Sequence, residues 1–157
     1  MCFINKHFIE LCKQGNLHEI KNYYINNKSI NISCNNNQCF YETCKEGHKD
    51  VALWLISTKK DIVDSIIMTD AFIASILNGH LQLAQWLYYI QPNINTNAHD
   101  YYVLYNLCIN GNFKSIKWLI SLNNITNKNI IHVCIRISYD KGHPDISNYL
   151  FNYSKTI

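Results

Sequence analysis

Long apolar runs are missing from this chain of 157 residues. A membrane-crossing helix needs about eighteen consecutive apolar residues, and no such stretch occurs. The opening MCFINKHFIELC has neither the basic start nor the long apolar core of a secretory signal, so a cytoplasmic location is expected. Charge is sparse too: Asp, Glu, Lys and Arg make up 16% of the residues and the formal net charge is only +3. The lysines lie scattered among acidic residues, whereas a nucleic-acid surface needs a dense basic stripe to displace counterions. Neither nucleic acid nor membrane is therefore an expected partner. The seven cysteines are odd in number and lack the spacing of a disulfide-stapled small scaffold. They read as reduced thiols packed like small hydrophobic groups. Glycine is limited to five residues that never cluster, which leaves no phosphate-binding loop.

What is present is a core-forming share of 48% apolar residues in a chain of single-domain size, and a period. The glycines stand at 15, 47, 79, 111 and 142, at intervals of 32, 32, 32 and 31 residues. Seven residues before each lie Phe8, Phe40, Phe72, Leu104 and Ile135, and three before each lie Cys12, Cys44, Ile76, Cys108 and Tyr139. That i, i+4 spacing is one stripe of a helix. After the glycines come Ile20, Val51, Leu83, Ile116 and Ile146, then Trp54, Trp86, Trp118 and Tyr149, each of these aromatics followed by a leucine: Leu55, Leu87, Leu119 and Leu150. This is a second helical stripe. Each unit thus reads as a short helix, a glycine turn and a longer helix, with units near 6–37, 38–69, 70–101, 102–133 and 134–157 of one domain. A two-helix unit cannot hide both stripes alone, so stacking of neighbours, with the tryptophans in the seam, is expected to complete the core. The end units should be more polar: Asn22 replaces the tryptophan in the first, and Asn148, Asn152 and Ser154 lie on the last helix.

The Gly-His-x-x-hydrophobic-x-x-hydrophobic run with its aromatic-Leu pair, as in EGHKDVALWLI and NGHLQLAQWLYYI, resembles the ankyrin repeat. The resemblance covers nearly the whole chain from about Lys6 onward. The Thr-Pro-Leu-His opening of well-formed ankyrin repeats is absent, the corresponding segments reading KHFI, QCFY, DAFI, YVLY and VCIR. In this the chain is similar to the degenerate ankyrin-like repeats of large DNA viruses. The resemblance implies an all-α fold, an α-solenoid of about five stacked helix-turn-helix repeats, while the loops NKSINISCNNNQ and QPNINTNAHD lack the usual turn glycine, so that regular β-hairpin fingers are not expected. It implies a monomeric, non-enzymatic protein-interaction module without cofactor, whose partner is a viral or host protein held on the concave face. With the chain stopping at FNYSKTI, no C-terminal ubiquitin-ligase tail is expected.

Two groups of residues invite chemistry. His48, His80 and His143 each follow a turn glycine, but sit in successive units instead of converging. The resemblance implies that they hold the turn by hydrogen bonds to backbone. Cys34, Cys39, Cys44 and His48 form a C-x4-C-x4-C-x3-H run, the best metal candidate in the chain. Zinc requires four converging ligands, and Cys44 belongs to the buried stripe that also holds Cys12 and Cys108, so no metal is expected. A zinc- or thiol-dependent activity at Cys34 to His48 stays as the alternative function, with a nucleic-acid-binding module as another.

The outward positions are more informative. Two residues before each glycine the chain reads Lys13, Lys45, Leu77, Ile109 and Asp140, so polarity lapses in the middle of the array. Tyr101, Tyr102 and Tyr105 stand close by in sequence. Aliphatic and aromatic side chains ringed by Lys and Asn have the composition of an interface hot spot. Leu77, Ile109, Tyr101, Tyr102 and Tyr105 are the expected partner-binding residues. Some of the tyrosines alternatively fill the packing left by the missing Thr-Pro-Leu-His openings, Tyr105 first among them.

Overall fold

The computed structural model describes residues 6–59, 65–122 and 125–157, apart from the side chains of residues 34–36, 65 and 98–100. The described residues form ten helices and no strand. In order these are α1 (Lys6–Gln14), α2 (Leu17–Asn26), α3 (Cys34–Lys45), α4 (Lys49–Thr58), α5 (Ser65–Leu77), α6 (Leu81–Ile90), α7 (Ala98–Ile109), α8 (Phe113–Leu122), α9 (Lys128–Asp140) and α10 (Pro144–Ser154). Every odd helix pairs with the even helix that follows it, across one of the five glycines. The first helices open four to six residues before the unit boundaries read from the period at 38, 70, 102 and 134. None of the described residues forms a membrane-length apolar helix.

The helix pairs gather into two compact units, residues 1–94 and 95–157. In the first, α1 packs on α3 and α3 on α5, each with its own second helix beside it. In the second, α7 packs on α9, flanked by α8 and α10. The first helices therefore form the spine of each unit. Four of them have 12 or 13 residues against 10 or 11 in the second helices, which reverses the expected short-then-long order. The apolar stripe marks where a helix is covered, not where it starts, and the Asn-rich first turn of α3 carries no stripe to read.

The core follows the two stripes. Phe8, Phe40, Phe72 and Leu104 are buried, as are Cys12, Cys44, Ile76 and Cys108. On the second helices Ile20, Val51, Leu83, Ile116 and Ile146 are buried, together with Leu55, Leu87, Leu119 and Leu150. Three expectations need correction. The tryptophans are only half-buried, and the leucine after each one is the true core residue. The indole still reaches across: Tyr24 of α2 meets Trp54 of α4 edge-on at 5.4 Å, and the Lys49 ammonium lies over Trp86 at 5.8 Å. Tyr139, in register with Cys12 and Cys108, is 71% exposed, because α9 turns its other side, Ile131, Cys134 and Ser138, toward α7. Ser154, expected on the polar outer side, is buried and donates its hydroxyl to the Phe151 carbonyl at 2.7 Å.

Candidate functional site

The turns explain the recurring Gly-His. All five glycines have φ between 73° and 86°, the left-handed region in which a Cβ is costly. After α3 the Gly47 amide donates to the Cys44 carbonyl and the His48 amide to the Thr43 carbonyl, a Schellman closure that satisfies the last carbonyls of the helix. His80 and His143 donate in the same way to Ser75 and Ser138. Each histidine then starts the next helix without capping it by its side chain, which leaves the imidazole free to reach elsewhere. His48 Nε2 meets the Lys13 carbonyl at 2.6 Å and His143 Nε2 meets the Ile109 carbonyl at 3.1 Å. The rings of His48, His80 and His143 also lie against Gly15, Gly47 and Gly111, where a Cβ would collide with them. These bonds correct the expectation that the histidine holds its own turn: the backbone closes that turn, and the ring ties it to the preceding helix pair. His48 and His143 are bound to carbonyls of different helices and His80 lies against Gly47, so the three rings form no common centre.

Of the cysteine and histidine run, the three described side chains, Cys39, Cys44 and His48, go to different places. Cys34 opens α3, and its side chain lies outside the described residues. Cys39 faces Cys12, Cys44 is fully buried, and His48 is committed to Lys13. Burial alone pushes the Cys44 thiol above its ordinary pKa, the opposite of what a thiolate ligand or nucleophile requires. Among the described residues no grouping of His, Cys, Asp or Glu could hold a metal ion.

Of the expected partner-binding residues, Leu77 ends α5 in the first unit and is half-buried, while the other four lie on α7 in the second. Tyr102 is 47% exposed and Ile109 38%. Seven residues apart, they share one side of the helix. The opposite side, Val103, Leu104, Leu107 and Cys108, is buried. Tyr105 is half-buried and has a partner of its own, intermediate between the two roles expected for it. Tyr101 is half-buried and takes φ of 65°. Its register mate Asn37, also ten residues before a turn glycine, has φ of 58°. Asparagine tolerates that conformation and tyrosine does not. Tyr101→Asn is therefore expected to raise stability by about 1 kcal/mol, read as a higher urea midpoint; an unchanged or lower midpoint would show that the phenol compensates by its packing.

The sequence reading missed what lies beside this patch. Val133 of α9 stands nine residues before Gly142, as Tyr102 does before Gly111, and it is exposed, as are Arg136 and Asp140. Val133, Arg136 and Asp140 hold on α9 the places that Tyr102, Tyr105 and Ile109 hold on α7, the helix packed beside it, so the exposed sides of the two helices are equivalent. Comparing residues at equal distance from the glycines would have found them. No family model and no curated protein sequence matches the chain.

Proposed function

We propose that this chain is a non-enzymatic protein-interaction module built from ankyrin-like repeats, and that it takes its partner on the outward α7–α9 surface. The repeat reading is supported by the period of 31 or 32 residues, the left-handed glycine at each turn and the imidazole that ties a turn to the preceding pair. The observation that carries the binding reading is the exposure of Tyr102 and Ile109 on a helix with a complete buried face of its own. Both side chains lie outside the buried face of α7. A phenol and a branched aliphatic group, with Val133, Arg136 and Asp140 at the equivalent places of α9, suit a protein segment with an apolar anchor and a charged residue of each sign nearby. The resemblance to viral repeats makes a host-cell protein the natural target, met in the cytoplasm by a monomeric module.

The test is affinity capture from cell extract by the parent protein, a Tyr102→Asp, Ile109→Asp variant, and a Tyr89→Asp control at an exposed position on α6. The double variant is expected to keep the parent's helical circular dichroism and melting temperature and to lose at least 90% of the captured partner, since two central contacts of about 1–2 kcal/mol each are removed. The control is expected to retain it. Equal capture by the double variant would move the binding surface elsewhere, and unfolding would show that the two side chains belong to the core.

A further inference from the structure

Two thiol pairs lie in the interior at matching places. Cys12 of α1 lies against Cys39 of α3, and Cys108 of α7 against Cys134 of α9, all four buried where α1 packs on α3 and α7 on α9, close enough for one thiol to interact with the other. In both cases the first cysteine stands three residues before its turn glycine and the second stands eight before the next one. A buried hydroxyl four residues before that second glycine, Thr43 or Ser138, adjoins the pair. The repeat thus produces the same dithiol twice, once in each compact unit and always between adjacent helix pairs. Cys44 supplies an internal contrast, for the position eight residues before Gly79 is Ala71.

We propose that Cys12 with Cys39, and Cys108 with Cys134, are redox sites that a low-molecular-weight disulfide oxidises to intramolecular disulfides, each fastening one helix pair to the next. Within each pair a hydrogen bond between the two thiols favours ionisation of the one that accepts it. That bond, with burial added, holds Cys12 and Cys134 above the ordinary thiol pKa, and it lowers Cys39 and Cys108. Whichever thiol of a pair ionises first attacks, and its partner resolves the mixed disulfide. Where Cys39 is the thiolate, it attacks one sulfur of the oxidant RSSR, the S–S bond breaks, and RS⁻ leaves and takes up a proton. Cys12 then loses its proton and displaces the second RS⁻ from the mixed disulfide, which leaves as RSH. The pair gives up two electrons and two protons, and the oxidant becomes two RSH. Cys108 and Cys134 follow the same course. All four sulfurs belong to buried residues, so reaction proceeds through local parting of α1 from α3 or of α9 from α7, and closing the bond opposes that parting.

The parent protein is equilibrated with mixtures of reduced and oxidised glutathione, quenched in acid, unfolded, alkylated and mapped by mass spectrometry. The expected result is a 12–39 link and a 108–134 link that accumulate as the oxidised fraction rises, with Cys44 alkylated as a free thiol. The oxidised protein should melt about 5–10 °C higher than the reduced one, and dithiothreitol should abolish the gain. Cys12→Ala is expected to lose the first link and keep the second, and Cys134→Ala the reverse, so misfolding in one unit leaves the other link readable. Pairs that stay reduced in fully oxidised glutathione, or links that join other cysteines instead, would overturn the proposal.

Discussion

Replacing Phe40 with alanine is expected to remove about 3–5 kcal/mol of stability, the range for truncating a fully buried phenylalanine. The ring sits in α3, the middle helix of the first unit's spine, and is wholly shielded from solvent. Its loss leaves a cavity that α1 and α5 can close only by moving toward one another, and their own stripe residues, Phe8 and Phe72, limit that movement. Since domains are stable by only about 5–15 kcal/mol in total, a large share of the margin goes with one side chain. Urea titration followed by circular dichroism measures it. Trp86→Ala serves as the comparison, because the larger indole is half-buried and should cost less, about 1–3 kcal/mol. A tryptophan variant more damaging than the phenylalanine one would put the core in the seam between second helices and not along the spine.

The second large effect concerns a turn. Gly47 has φ of 85° and its missing Cβ would collide with the His80 ring, whereas Gly79 has φ of 86° and open space at the same point. The backbone cost of alanine is therefore shared by the two sites, about 1–2 kcal/mol each. Only at Gly47 is the crowding of an imidazole added, which overpacking data place at about 1–3 kcal/mol more. Gly47→Ala should thus destabilise by about 2–5 kcal/mol and Gly79→Ala by about 1–2 kcal/mol. His80→Ala in the Gly47→Ala background should restore part of the difference, which a double-mutant cycle isolates. If the two glycine variants prove equally stable, the histidine rings do not clasp the preceding turns.

The sequence by itself determined the elements of this protein and their order. A glycine whose φ must be positive, an apolar residue every third or fourth place and an aromatic-Leu pair are local requirements of a helix pair, and they recur every 31 or 32 residues. Phe8, Phe40, Phe72 and the leucines of the second helices could be placed in the core on that basis. Tertiary structure alone decided what depends on which side of a helix its neighbour covers. Leu77 and Ile109 stand at the same place before their glycines, yet the first is half-buried and the second exposed. Tyr139 keeps the stripe's spacing but lies on the uncovered side of α9. The meeting of Cys12 with Cys39, and of an imidazole with the turn of the preceding pair, follows from helix crossing and register, which no linear period encodes. Periodicity records which residues need cover, and only packing shows what covers them.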